Sequence, residues 1–152
     1  IDFLSAPAKL ASDIKSTDTL FIANPSLSAL NILVNMGINI TPKLQAGFNI
    51  DVIGLSFGGN ETGKFTGNGN MASTYAKPSS FNLLLVGNND IGSLNSHFYL
   101  QYAISRQWGI KAAYQYMFTE FTTDTKVQVS PEANDRFRNK ASMIYAGIVY
   151  SF

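Results

Sequence analysis

Apolar side chains recur at a period of two along most of this chain, the spacing of β-strands. Across Leu27–Thr41, Leu30, Ile32, Val34, Met36, Ile38 and Ile40 alternate with Ala29, Asn31, Leu33, Asn35, Gly37 and Asn39. Asn31, Asn35 and Asn39 also lie four apart, as on the polar stripe of a helix. A spanning helix needs about 20 predominantly apolar residues. This run is broken by those asparagines and Gly37 and stops at Pro42, so a strand is expected. Thr41-Pro42-Lys43 turns the chain into a second strand, Leu44–Gly58, where Leu44, Ala46, Phe48, Ile50 and Val52 oppose Gln45, Gly47, Asn49 and Asp51. Past Val52 the apolar set moves to Ile53, Leu55 and Phe57, which predicts a bulge near Gly54. Asn95–Ser105 sets Phe98, Leu100, Tyr102 and Ile104 against His97, Tyr99, Gln101 and Ala103. After a turn at Ser105-Arg106-Gln107, Trp108 opens a strand in which Ile110, Ala112, Tyr114, Tyr116 and Phe118 oppose Lys111, Ala113, Gln115, Met117 and Thr119. The final run, Met143–Phe152, puts Ile144, Ala146, Ile148, Tyr150 and Phe152 on one face and Tyr145, Gly147, Val149 and Ser151 on the other.

That last strand carries a further signal. It ends on Phe152 with Tyr150 two residues before it, and so resembles the closing strand of bacterial outer-membrane β-barrels. The resemblance covers about Leu27–Phe152, on the side of the small porin-like and adhesin-like barrels. It implies an all-β, antiparallel up-and-down transmembrane β-barrel, with residues 1–152 as one domain in the bacterial outer membrane. It also implies outer-membrane lipid around the wall and a barrel-assembly machinery that reads the C-terminal strand.

In such barrels the closing strand ends on the periplasmic side, where turns are short, and the outer loops are long. Counting back, Thr122–Arg138 is a charged outer loop, and Ser105-Arg106-Gln107 and Thr41-Pro42-Lys43 are periplasmic turns. Strand direction then fails to alternate if Phe81–Asn88 is the only strand between Gly58 and Leu94. An elaborate outer loop over Gly58–Ser80 restores the alternation, and so does an extra strand over Lys64–Ala76; the strand is the expected one because it brings the total to eight. Asn89–Gly92 is a turn by composition. Ile1–Ser5 reads as a partial first strand, the tail of one truncated at its N-terminus, and Pro7–Pro25 as an exposed loop.

Composition sharpens this picture. Charged residues make up 14% of the 152 residues, against roughly 25% in soluble globular proteins. A net charge of +1 and the lack of a basic run exclude nucleic acid as an expected partner. In the clear strands the apolar set is free of charge at its centre, while Asp51 and Lys111 sit on the other face. A soluble barrel or sandwich, the competing fold, would turn the apolar set inward. Aromatic girdles favour the membrane: Trp108, Tyr150 and Phe152 at the periplasmic edge, and Phe57, Phe98 and Phe118 near the outer edge.

Eight strands enclose a space that side chains fill. Asn31, Asn35, Asn39, Gln45, Asn49, Asp51, Gln101, Lys111, Gln115 and Tyr145 are the expected lumen lining, with an Asp51–Lys111 pair among them. The absence of cysteine removes disulfides and thiolate chemistry, and one histidine removes multi-histidine metal sites. No cofactor or metal is expected. His97 is the single candidate base, yet Ser96 beside it points to the opposite face. Gly58–Lys64 lacks phosphate-loop spacing, since Phe65 follows Lys64. Three functions stay open: a structural or surface-interaction barrel whose loops meet an extracellular ligand, a narrow pore, and a lipid-modifying enzyme using His97.

Overall fold

The five alternating runs become the long strands of the computed structural model, which describes residues 1–5, 18–67, 69–85, 90–129 and 133–151. They are β3 (Ser28–Asn39), β4 (Leu44–Phe57), β8 (Leu94–Ala103), β9 (Trp108–Thr123) and β10 (Arg136–Tyr150). Five shorter strands join them: β1 (Asp2–Ser5), β2 (Thr19–Ile22), β5 (Glu61–Gly67), β6 (Asn70–Pro78) and β7 (Phe81–Leu83). All ten belong to one antiparallel sheet, with no helix among the described residues.

Two hydroxyl side chains shape the turns at one end of the long strands. Thr41 Oγ1 accepts from the Lys43 and Leu44 amides at 3.2 and 3.0 Å. Ser105 Oγ does the same for Gln107 and Trp108 at 3.3 and 3.1 Å. Side-chain acceptors of this kind hold tight turns. The long strands then lie in the order β3-β4-β8-β9-β10, with β3 and the far half of β10 at the free edges. The register slips once, between Ile32 and Leu33, whose partners are Ile53 and Asp51. Val52 is therefore the extra residue, two positions before the expected Gly54.

The other end differs from expectation. Pairing passes from β9 to β10, β1, β2, β5 and β6, and returns to β9 through Ala76↔Thr123, Lys77↔Thr122 and Pro78↔Phe121. Inside this circuit Phe3, Leu20, Ile22, Phe65, Ala76, Phe121 and Phe137 form the hydrophobic core. Phe3 meets Phe121 and Phe65 meets Phe137 edge-on, with ring centroids 5.0 and 5.9 Å apart, a preferred aromatic geometry.

The expected eight-stranded barrel is thus corrected. Among the described residues there are ten strands, and the sheet they form does not close into a regular barrel, because β3 and the far half of β10 each lack a partner on one side there. The single extra strand over Lys64–Ala76 is instead the β5–β6 hairpin, reversing at Gly69, whose φ of 75° suits glycine. The strand expected over Phe81–Asn88 shrinks to Phe81–Leu83, with residues 86–89 outside the described set. Thr122–Arg138 is not wholly a loop, since β9 runs to Thr123 and β10 starts at Arg136. Within Pro7–Pro25, residues 7–17 lie outside the described set and Thr19–Ile22 is β2.

Candidate functional site

Cross-strand partners share a face, so the ladders define two surfaces. One row runs Met36, Phe48, Phe98, Tyr114, Ile144; the next runs Ile38, Ala46, Leu100, Ala112, Ala146. Leu44, Tyr102, Ile110 and Ile148 continue this face towards the two tight turns. It is apolar and open: Ile144 is 84% exposed, and Leu30, Ile38 and Ile148 are exposed as well. A groove of about 520 Å3 on it is lined by Leu100, Tyr102, Ala112, Ala146 and Ile148, among others.

The opposite face carries the residues expected to line a lumen. One row is Asn35, Asn49, His97 and Gln115, and another is Asn39, Gln45, Gln101 and Lys111. Tyr145 is level with Ala113 and Tyr99. Asn31 joins the same face by donating to Asp51 Oδ2 at 2.7 Å. The expected Asp51–Lys111 pair is not formed. Asp51 also accepts from the Asn95 amide at 3.1 Å, while the Lys111 ammonium lies over the Tyr99 ring, 4.0 Å from its centroid. A cation and an aromatic face attract one another in this geometry. Lys111 is level with Gln45, six residues before Asp51 on β4, which explains the exchange of partners.

His97 lies between aromatic rings, 6.1 Å from Tyr99 and 6.0 Å from Tyr145, and its Nε2 has no hydrogen-bond partner among the described residues. Ser96 points to the other face and is level with Ile50 and Tyr116. Ser93 Oγ accepts from the Glu120 amide at 3.0 Å. Neither serine is therefore held against His97 for activation. No group of three or more acidic or imidazole ligands suits a metal among the described residues.

Sequence reasoning missed a polar cluster that crosses the sheet. Asn82 donates to Asn31 at 2.7 Å and accepts from Ser56 and the Ser93 amide at 2.9 and 2.8 Å. A cavity of about 290 Å3 beside it is lined by Asn31, Asp51, Ser93, Asn95 and Thr119, among others. Beyond Ser93 the cluster reaches Glu120, whose side chain is 0% exposed. Glu120 pairs with Arg136 at 2.8 Å and Arg138 at 2.6 Å, and accepts from the Gly92 amide at 3.1 Å. Both guanidiniums also donate to the Asp90 carbonyl, which clamps the segment before β8 across the start of β10. The available signal was the pairing itself: Arg138 is the register partner of Glu120.

Burial lifts the Asp90 carboxyl above its ordinary value; Glu120 adds to the rise, while the Leu85 amide, Arg138 and Lys140 oppose it. The folded chain therefore holds this proton more tightly than the unfolded chain, and stability falls as pH rises from the ordinary value through the raised one. Asp90→Asn keeps an acceptor for Leu85 and removes the titration. Its stability relative to the parent protein is expected to improve across that window, as read from urea midpoints at a series of pH values. A difference independent of pH would refute the assignment.

Of the expected girdle residues, Trp108 and Tyr150 meet edge-on with centroids 4.8 Å apart, beside the Ser105 turn. Phe57 ends β4 on the far side, and Phe118 lies under the Arg138 guanidinium at 4.8 Å. Phe98 departs from expectation, because it is level with Phe48 and Tyr114 inside the sheet. Phe152 lies outside the described residues. No family model, curated protein or solved structure matches this chain.

Proposed function

We propose that this chain is a β-barrel domain of the bacterial outer membrane with a structural or surface-interaction role. Lipid meets its apolar face, and its outer segments meet an extracellular ligand. The observation that carries the reading is the charge-free apolar face across β3, β4, β8, β9 and β10. On β10 Lys140 marks its limit, and Ser142–Tyr150 below it carries no charge. Transmembrane β-strands need about 9–11 tilted residues to cross the hydrocarbon layer, a length that β3, with 12 residues, and β8, with 10, supply. Exposed apolar surface this continuous marks an interaction face in water and an ordinary wall in lipid. The groove over Ala112 and Ala146 has the chemistry of an acyl-chain contact.

Asn and Gln side chains that bond one another, Tyr99 bonded to Asn35 at 3.1 Å and Gln115 to Asn95 at 2.9 Å, favour a filled interior over a conducting one. The lack of a hydrogen-bond partner on His97 Nε2 among the described residues disfavours the lipid-modifying enzyme. In this reading the barrel-assembly machinery receives β10 as the closing strand.

Folding the chain into phospholipid vesicles and running it on a denaturing gel with and without boiling tests the proposal. The unboiled protein is expected to migrate as a distinct band, because a lipid-embedded sheet resists detergent. A monomer that stays in solution without detergent and shows one band in both lanes would refute it.

A further inference from the structure

Every ladder in the sheet is antiparallel, yet the strands at its two free edges run the same way. β3, β8 and β10 point in one direction and β4 and β9 in the other. β3 and β10 therefore cannot join directly in the pattern used everywhere else. Among the described residues, β3 pairs with β4 alone, and β10 from Ala141 to Tyr150 pairs with β9 alone. Neither Ser28–Asn39 nor Ala141–Tyr150 contains a charge or a proline, the usual devices that keep an exposed edge from pairing.

At the other end of the sheet the place between these strands is already taken by β1. Leu4 faces Arg138 and Ser5 faces Phe137 on one side, while Asp2, Phe3 and Leu4 face Phe21, Leu20 and Thr19 on the other. β2 pairs with β5 and β3 with β4, consecutive strands, in one continuing register: the six steps from Ile22 to Ser28 match the six from Gly63 back to Phe57. The lane that β1 occupies therefore continues between β3 and the rest of β10.

We infer that this seam is a strand-addition site whose occupant is one extended segment. The segment enters in line with β1, antiparallel to both edges, and covers Ala141–Tyr150. Its neighbours set its chemistry. Side chains towards Leu30, Ile32, Ile144 and Ile148 are apolar, and those towards Asn31, Asn35, Tyr145 and Gly147 are small or polar. A second copy offering β3 or β10 would have to lie upside down relative to the first, which two copies inserted in the same direction cannot do. The open seam follows from strand direction and free edges alone, whereas the exclusion of a second copy rests on the membrane insertion proposed above.

The chain has no cysteine, so introduced pairs report without background. Continuing the β1–β10 register places the sixth residue ahead of Ile1 opposite Gly147, where a Cβ meets nothing within 4 Å. The test fuses a strand of alternating valine and threonine ahead of Ile1, with cysteine at that sixth position. It is expected to form an intramolecular disulfide with Gly147→Cys, and with Tyr145→Cys or Val149→Cys about tenfold less, since disulfide geometry tolerates little displacement. Equal linkage at all three sites, or none in a chain that retains its β circular dichroism, would overturn the inference. If the fused chain does not fold, the same segment as a free peptide is added to the parent protein. Amide exchange over Ala141–Tyr150 should then slow by about tenfold, and unchanged exchange would overturn it equally. Disulfide-linked dimers of Gly147→Cys alone would assign the edge to a second copy and overturn it as well.

Discussion

Glu120→Ala is expected to destabilise the fold by roughly 3–5 kcal/mol, the range for breaking a buried ion pair by removing one partner. Glu120 is fully buried and answers two guanidiniums, of which Arg138 is only 9% exposed. Removing the carboxylate leaves both cations facing each other under the segment around Asp90, which loses the Gly92 amide's acceptor at the same time. Denaturant unfolding of the refolded protein reads the loss directly. The companion variant replaces Glu120, Arg136 and Arg138 together by leucine or methionine. It should recover much of the stability, since apolar side chains of similar volume often replace a buried charge cluster at little expense. A Glu120→Ala protein within about 0.5 kcal/mol of the parent, the span of ordinary surface changes, would mean that the cluster is solvated.

The second large effect separates lipid from water. Ile144 and Val129 are almost equally exposed, at 84% and 79%. In a soluble protein, lysine at either site should change stability by no more than about 0.5 kcal/mol. In a bilayer, Ile144→Lys and Leu100→Lys are expected to cost roughly 2–4 kcal/mol if they lie near the midplane, whereas Val129→Lys, in the segment joining β9 to β10, stays near zero. Unfolding measured in vesicles reads all three. Equal and small effects at Ile144 and Val129 would remove the membrane from the account.

The long strands were legible because each keeps a period of two along an unbroken run, in β4 as far as Val52, and a single residue such as Asn35 or Leu100 announces its face by its neighbours two positions away. The outer circuit was not, for a physical reason. Its strands are four to nine residues long, and Gly63, Gly67, Asn70, Ser73 and Pro78 scatter turn-favouring residues through β5 and β6. What holds them is Phe65 against Phe137 and Leu20 across from Phe65, contacts that exist only once distant segments have paired. Arg136 and Arg138 misled in another way. A cluster of charges ordinarily marks a solvated loop, and only the register Arg138↔Glu120 reveals that these are neutralised by a strand neighbour. His97 and the polar row beside it could be placed on a face from spacing alone, but their partners could not. Choosing Tyr99 rather than Asp51 for Lys111 needs the offset between β8 and β9.

The bulge at Val52 has a wider consequence. β4 is a central strand, and its two halves serve different neighbours, β8 below and β7 above, with β3 alongside both. Before Val52 the even-numbered residues Phe48 and Ile50 belong to the apolar side; after it the odd-numbered Ile53, Leu55 and Phe57 do. One inserted residue thus resets the phase of the strand. It lets Asp51 and Ser56, an odd and an even position, both turn towards Asn31 and Asn82. Without that reset, Ile53, Leu55 and Phe57 would turn towards the polar cluster and Ser56 away from it.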